Sequence, residues 1–519
     1  MITLTLQPNA PVLRHPWRKC IAVGRAYDLM RSDLRQHLAD LQRELRFSYC
    51  RFHALFHDDM NVVRRDAEGQ LVYSWRHVDE VYDFLLSIGL KPFVELNPMP
   101  AALASGDQKM FYYEMNVTPP KIYGEWSALV EAFTHHCVER YGLEEVRSWY
   151  FEVWNEPNLS GFWSGTKEEY WNLYDASALA VKKVDAALRI GGPASSKANW
   201  IADIIEHCHK NKVPLDFVST HLYPQDEYVE FPDRVGSPHA VGEFFMDTVR
   251  SVQNVVAQSS MPDLEIHWSE WNTQSATSSE SITWGDNVYV DNLYAASFIA
   301  RNCAGLDDAC DSLTWWVASD IFEEGQIPTR PFSCTYGLVT PHGLPKASCN
   351  AFSFLNKLRG QRLVVSSKET SPIGCGLIAT RELDTVRILA WNHHSLELSE
   401  QGTWNESFLL PSFTGKNPLA VTQRIGVESG SPYEHWLALG QPTDLSPTLL
   451  AYLKQKAEPS FQILPVDVTP QGWRFQLSLA PNEVLLIEVA EAPAGAATAR
   501  INAEAWADWD KKMGEQSRA

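Results

Sequence analysis

The chain has no CxxC pair and no Cys/His spacing of the metal-binding kind; its nine cysteines lie singly along 519 residues. That pattern gives no sign of a zinc site, and an odd, unpatterned count suits a reducing compartment somewhat better than an oxidising one. Cys20 and Cys50, in apolar strand-like segments, read as buried small hydrophobes. Nor is there a cluster of Lys and Arg: 44 basic residues are spread against 64 acidic ones, for a net charge of −20. Phosphate-backbone binding draws on clustered basic side chains, so no nucleic-acid partner is expected. No apolar run approaches the length of a membrane span, so no membrane partner is expected either. The opening MITLTLQPNAPVLRHPWRK lacks a basic stretch followed by an apolar one. The expectation is a cytoplasmic protein, or a periplasmic or secreted one if this is a mature form. No GxGxxG follows the first strand, and no GxSxG elbow, HExxH or P-loop is found. Those gaps argue against dinucleotide, serine-hydrolase, zincin and nucleotide chemistry, and neither cofactor nor metal is expected.

What the chain does have is aromatic side chains, with 19 Trp and 18 Tyr. Such a surplus either lines a concave site for flat ligands such as sugars or fills a large core. An apolar fraction of 45% and a charged fraction of 21% are those of a soluble globular protein. The length suggests two domains.

Between about residues 19 and 325, short apolar runs alternate with amphipathic stretches. The runs are KCIAVG (19–24), FSYCRFHAL (47–55), KPFVELN (91–97), SWYFEVWNE (148–156), LRIGGPA (188–194), DFVSTHLY (216–223), LEIHWSEW (264–271) and SLTWWVAS (312–319). Eight such units predict an α/β fold, a (β/α)8 TIM barrel, rather than an open doubly wound sheet. From about 350 the texture changes to β-type runs separated by turn residues, with little helix signal, as in a β-sandwich. The alternating ITLTLQ (2–7) could add a strand to it. The expected division is a catalytic barrel over 14–345 and a C-terminal β-sandwich over 346–490 that recruits residues 1–13. A small-residue linker and a short amphipathic helix or tail then occupy 491–519.

In a parallel barrel the chemistry sits at the C-terminal ends of the strands. Polar residues closing the eight runs are His53, Asn97, Glu156, His221 with Tyr223, Glu270, and Trp316 with Asp320. Two are glutamates on non-adjacent strands: Glu156 in WNEPN and Glu270 in HWSEWN. A carboxylate pair facing across a barrel mouth can cleave a glycosidic bond. One member, held protonated, gives its proton to the leaving oxygen, and the other attacks the anomeric carbon or activates water. Desolvation or a nearby negative charge, such as an ionised partner, would hold that proton near neutral pH. A single strand-end Glu is more often structural; two on non-adjacent strands, each followed by an aromatic or Pro and flanked by Asn, point to catalysis.

The chain also resembles clan A glycoside hydrolases, and more narrowly glycoside hydrolase family 39. The resemblance is carried by RFHALFHDDM (51–60), FYYEMNVTPPK (111–121), WNEPNLSGFW (154–163), DFVSTHLYP (216–224), IHWSEWN (266–272) and SDIFEEG (319–325). It implies a retaining enzyme with a barrel and a β-sandwich, Glu156 as general acid/base and Glu270 as nucleophile. By the same resemblance Asn155 would hold a sugar 2-hydroxyl, if it does not simply cap the strand-to-helix turn. Tyr223 would lie beside the nucleophile, and His221 would be a substrate ligand or a satisfied core histidine. Trp316 rather than Trp315 would be the sugar-stacking platform, and Glu324 of the Glu323-Glu324 pair would hold sugar hydroxyls. Val317-Ala318 departs from the commonest family pattern, which puts the pocket wall in question but not the pair.

Strand parity places Arg51 and His53 on one face. Arg51 then either orients the nucleophile or forms a buried ion pair with Glu95 or Glu152, and His53 meets a sugar hydroxyl. Phe111, Phe162 and Trp163 either wall the pocket or pack. The resulting expectation is an exo-acting, retaining β-xylosidase releasing xylose from the non-reducing ends of β-1,4-linked xylo-oligosaccharides. The alternatives are another family activity (α-L-iduronidase, β-glucosidase or arabinosidase) or a non-catalytic carbohydrate-binding protein. An iduronidase would need basic residues for the uronate carboxylate, which Glu323-Glu324 would repel. Oligomeric state is not legible.

Overall fold

The structure is a computed structural model that describes residues 1–7, 9–226, 243–274, 289–324, 330–367, 371–394, 402–411 and 413–492. Eight strands form a closed parallel barrel: β1 (Cys20–Arg25), β2 (Tyr49–His53), β3 (Lys91–Leu96), β4 (Tyr150–Val153), β5 (Arg189–Ser195), β6 (Phe217–Leu222), β7 (Glu265–Trp271) and β8 (Ser312–Trp315). Each is followed by a helix: α1 (Ser32–Leu45), α2 (Arg76–Ser87), α3 (Tyr123–Tyr141), α4 (Lys167–Val184), α5 (Ile201–Asn211), α6 (Glu243–Ala257), α7 (Leu293–Gly305) and α8 (Ala347–Lys357). The fold class expected from the sequence is the one observed.

The strands are buried on both faces, which is why they read as nearly continuous apolar runs. Outward residues such as Cys50, Phe52, Phe151, Val153 and Val218 join the layer under the helices. In α1, Leu34, Leu38, Leu41 and Leu45 recur at helical spacing and supply the matching stripe. Helix α4 begins with a capping box, Thr166 and Glu169 each bonding the other's backbone N–H.

Inward residues divide the barrel interior by height. Cys20, Tyr49, Phe93, Tyr150 and Phe217 make an apolar plug at the N-terminal end. The His267 ring packs edge-on against Phe93, Tyr150 and Phe217 of that plug. One step up each strand the inward residues become Arg51, Glu95, Glu152 and Ser219, all buried. The floor is therefore largely aromatic, and the fully buried charged groups begin one step above it, toward the C-terminal mouth.

The second unit is two stacked sheets. The strand Ile2–Thr5 lies between Val364–Ser367, antiparallel, and Trp404–Leu410, parallel. Gly472–Leu479 and Asp467–Thr469 complete that five-stranded sheet. Facing it is a six-stranded sheet built around Thr385–Asn392 and Val484–Glu491. Ile2, Leu4, Ile388, Phe408, Phe475 and Ile487 fill the space between the two.

Two features differ from the expected organisation. The eighth barrel helix, α8, begins beyond the expected edge at 345 and packs on α1 and α7. Its residues Phe352, Phe354 and Leu355 are fully buried, so the outer helix ring closes only there. Two helices, Tyr433–Ala438 and Pro447–Ala457, also interrupt the region that reads as all-β; the second is opened by the Ser446 cap and a Pro at its first turn. The expected linker and tail, apart from residues 491 and 492, lie outside the described residues. Among the described residues, no helix is long and apolar enough to cross a membrane.

Candidate active site

At the end of β4 the backbone turns sharply inward. Trp154 and Glu156 both adopt the left-handed region, with φ of 71° and 44°. For such side chains this costs roughly 1–3 kcal/mol each and persists only where the surroundings enforce it. Three contacts do so. Trp154 is wedged between the Trp126 and Trp163 rings, and its Nε1–H donates to the Phe162 carbonyl at 2.8 Å. The Glu156 N–H donates to the Ala194 carbonyl at 2.8 Å. Asn158 accepts from Ser196 N–H at 2.8 Å and donates to its carbonyl at 3.0 Å. The loop is thereby pinned to β5, and Asn155 and Glu156 are delivered into the mouth.

Glu270 arrives by a different device. Thr220 of β6 pairs with Trp268, yet His221 pairs with Glu270, so Ser269 is an extra residue. By strict alternation His267 and Ser269 would face in and Glu270 out. The bulge lets two consecutive residues face in: Ser269 Oγ lies 3.2 Å from His221 Nε2, and Glu270 reaches the centre of the mouth.

Arg51 organises that centre and is fully buried. Its Nε donates to Glu152 at 2.6 Å, one terminal nitrogen to Glu270 Oε1 at 2.7 Å, and the other to Asn155 Oδ1 at 2.8 Å. The last nitrogen also lies 2.6 Å from Glu95 Oε2. The two readings of Arg51 thus coexist: it is in ion pairs with Glu95 and Glu152 and it touches Glu270. Because a guanidinium only donates, Asn155 must present its oxygen to Arg51, which turns its amide N–H2 to the other side. The second Glu270 oxygen accepts from the Tyr223 hydroxyl at 3.0 Å.

Glu156 lies opposite, with His221 Nδ1 3.0 Å from its Oε1 and 3.5 Å from Glu270 Oε2. One carboxylate oxygen from each glutamate and this nitrogen all lie within 4.8 Å of one another. Three such atoms could converge on a cation, but the guanidinium at 2.7 Å from Glu270 already opposes a second positive charge there. Burial pushes the Glu156 carboxyl up to about 7; a Ser196 hydrogen bond and the charges of Arg51 and Lys197 pull against it. Desolvation rather than the neighbouring carboxylate is therefore what holds the proton. Burial also drives His53 and His221 down to about 4, so both imidazoles are neutral at pH 7.

The remaining predicted residues fall into two groups. His53 is held through Nδ1 by Glu95 at 2.9 Å, and its Nε2 lies 3.6 Å from Glu270 and 3.8 Å from Glu324. The Trp316 ring lies against His53 at 4.5 Å, whereas Trp315 points outward onto Trp271 and Phe352. Phe111 stacks over His53 at 6.4 Å and meets Phe162 edge-on at 5.3 Å. Glu323 turns away to Arg25 at 2.7 Å, which leaves Glu324 on the pocket side. Burial, with Glu270 and Glu156 nearby, pushes the Glu324 carboxyl well above its usual range. Trp163 is not brought to the mouth. Backbone hydrogen bonds from Phe162 and Trp163 to the Leu159 carbonyl fold the loop back, and the Trp163 ring packs on Trp154 and Tyr170 in the core. Asp320, another strand-end residue, is tied to Lys346 at 2.7 Å in the protein interior. Ser196, which stands directly after β5 and whose side chain bonds Glu156, carries one clue in the sequence: β5 follows the strand that ends in Glu156.

Comparison with known proteins bears on this arrangement. The family described as Glycosyl hydrolases family 39 matches residues 2–472. A β-xylosidase of Caldicellulosiruptor saccharolyticus is 36% identical over 478 residues, covering 91% of this chain and 95% of that protein. A β-xylosidase of Geobacillus stearothermophilus is 34% identical, covering 91% and 92%. The crystal structure of a monomeric β-xylosidase from Caulobacter crescentus CB15 superposes with a TM-score of 0.81 at 32% identity, covering 95% of this chain and 99% of that one.

Proposed function

The chain belongs to glycosyl hydrolases family 39, and from that premise we propose that this glycoside hydrolase is a retaining, exo-acting β-xylosidase. The observation that carries the reading is the pair Glu156 and Glu270, with carboxylate oxygens within 4.8 Å of one another. Retaining glycosidases hold their carboxyls about 5–5.5 Å apart, and inverting ones about 6.5–9.5 Å to admit a water. The close approach of these two carboxyls supports retention rather than inversion.

In the first step Glu156 transfers its proton to the glycosidic oxygen as Glu270 attacks the anomeric carbon. The leaving sugar departs as an alcohol and a glycosyl ester remains on Glu270. In the second, Glu156, now ionised, takes a proton from water, which attacks the same carbon and frees Glu270. The Arg51 and Tyr223 hydrogen bonds fix one Glu270 oxygen each and so aim the carboxylate. The Asn155 amide, oriented by Arg51, donates to the sugar 2-hydroxyl. His53, Glu324 and Trp316 meet the remaining hydroxyls and a face of the ring. Exo action is supported by the Tyr112 N–H donating to the Glu324 carbonyl at 3.0 Å, which joins the loops after β3 and β8 across one side of the mouth. A uronic acid is disfavoured: Arg51 is consumed by its four partners, and Glu324 brings a carboxyl to the pocket.

The test is a panel of aryl glycosides with the anomer of the first product followed directly. Cleavage of the β-xyloside with release of β-xylose is expected; full activity on another glycoside alone, or release of α-xylose, would overturn the reading. Because Glu156 must carry its proton, kcat/KM is expected to fall as pH rises through about 7. Glu156→Gln should remove that alkaline limb and, on a poor leaving group, lower kcat/KM by about 10²–10⁴-fold.

A further inference from the structure

Four strand-end loops meet at a residue outside the catalytic cluster. Arg25 closes β1 and is only 6% exposed. Its Nε donates to Asp28 at 3.2 Å, one terminal nitrogen to Asp59 at 2.5 Å and the other to Glu323 at 2.7 Å. The ring of Tyr113 covers the guanidinium at 4.4 Å. These partners belong to the turn after β1 and the loops after β2, β8 and β3, in that order. Two of the loops carry pocket residues beside the anchored ones. Glu323 precedes Glu324, and Tyr113 contacts Phe111 at 5.5 Å. The loop after β8 also packs tightly on the tip of β1: a Cβ added at Gly24 would come within 2.8 Å of the Phe322 ring.

We propose that Arg25 is a positioning residue for substrate binding, a fork that ties the loops after β2, β3 and β8 together and thereby sets Glu324 and Phe111 against the sugar. The inference rests on the glycosidase reading above. A guanidinium suits this task because its planar donors satisfy three carboxylates in fixed directions while its face takes an aromatic ring. An ammonium of the same charge reaches fewer partners, so Arg25→Lys separates charge from geometry. Since Arg25 touches no reacting atom, its loss is felt in ground-state binding more than in the chemical step.

The experiment is a double-mutant cycle between Arg25→Lys and Glu324→Gln, read on whichever aryl glycoside the wild type cleaves. Arg25→Lys is expected to raise KM about tenfold and change kcat less than about threefold. In the Glu324→Gln background it should raise KM no more than about twofold further, since both changes act on one contact. Glu323→Gln, a milder cut at the same joint, should move KM in the same direction if Arg25→Lys proves too unstable to assay. An unchanged KM, an equal rise in both backgrounds, or a loss confined to kcat would overturn the assignment. A wild type without glycosidase activity would instead overturn the reading on which it stands.

Discussion

Glu270→Gln is expected to lower kcat on an aryl β-xyloside by about 10⁵-fold or more, because removing a nucleophile forfeits a whole chemical route rather than one interaction. The side chain is nearly isosteric; its one amide oxygen can still accept from Arg51, and its N–H2 can donate to the Tyr223 hydroxyl oxygen, so unfolding should be little changed. The loss is then chemical. Glu270→Gly leaves a small cavity beside the anomeric carbon, and added azide can fill it. Partial recovery of activity with formation of the α-glycosyl azide would place the attack at that position. Wild-type turnover in Glu270→Gln, or recovery that yields the β-azide, would refute the nucleophile assignment. The corresponding azide experiment with Glu156→Ala should give the β-product, since there the external nucleophile enters at the second step.

Arg51→Met is expected to be the most damaging single change to the fold. The guanidinium is fully buried and its ion-pair partners Glu95 and Glu152 are fully buried with it, with Glu270 nearly so. Removing one partner of a buried ionic cluster typically costs about 3–5 kcal/mol, because the remaining charges have no water to turn to. Adding Glu152→Gln to Arg51→Met should return part of that loss by deleting one stranded carboxylate, so the pair should be clearly non-additive. Arg51→Lys should fold better than Arg51→Met and remain a poor enzyme, because one ammonium cannot serve Asn155, Glu270, Glu95 and Glu152 together. Denaturant unfolding alongside kcat/KM checks both statements. Stability of Arg51→Met within about 1 kcal/mol of wild type would mean that the cluster is solvated in a way its burial does not suggest.

Much of the architecture is legible in the sequence because a closed parallel barrel writes itself as doubly buried strands at regular intervals. The strand ends then point to Glu156, Glu270, His53, His221 and Tyr223 without reference to three dimensions. Other features were not legible, for identifiable reasons. Alternation along IHWSEW assigns Glu270 to the outer face, and only the bulge at Ser269 reverses it; nothing local distinguishes a bulged strand from a regular one. Trp163 reads equally as pocket wall or as packing, and what buries it is the turn at Leu159, which reverses the chain. In the sequence Arg51 offers a structural or a functional ion pair, and one guanidinium has donors enough for both. The linkage of Arg25 to Asp59, Tyr113 and Glu323 crosses sequence separations of up to 298 residues, which no periodicity reports.

The position of the strand Ile2–Thr5 has a consequence for the order in which the protein is made. Ile2 and Leu4 are each 1% exposed in the sandwich core, between strands that begin at Val364 and Trp404. At roughly 5–20 residues per second, about 18–70 s of synthesis separate this strand from its first neighbour. The entire barrel emerges in that interval, while an apolar β-segment stays tethered and unpaired at its rim. Deleting residues 2–5 would therefore leave the catalytic barrel's own contacts intact and open an unpaired slot between two strands of the sandwich. Such a slot is an invitation for a strand from another nascent chain, so the defect would surface during expression as misassembly before it surfaced as lost catalysis.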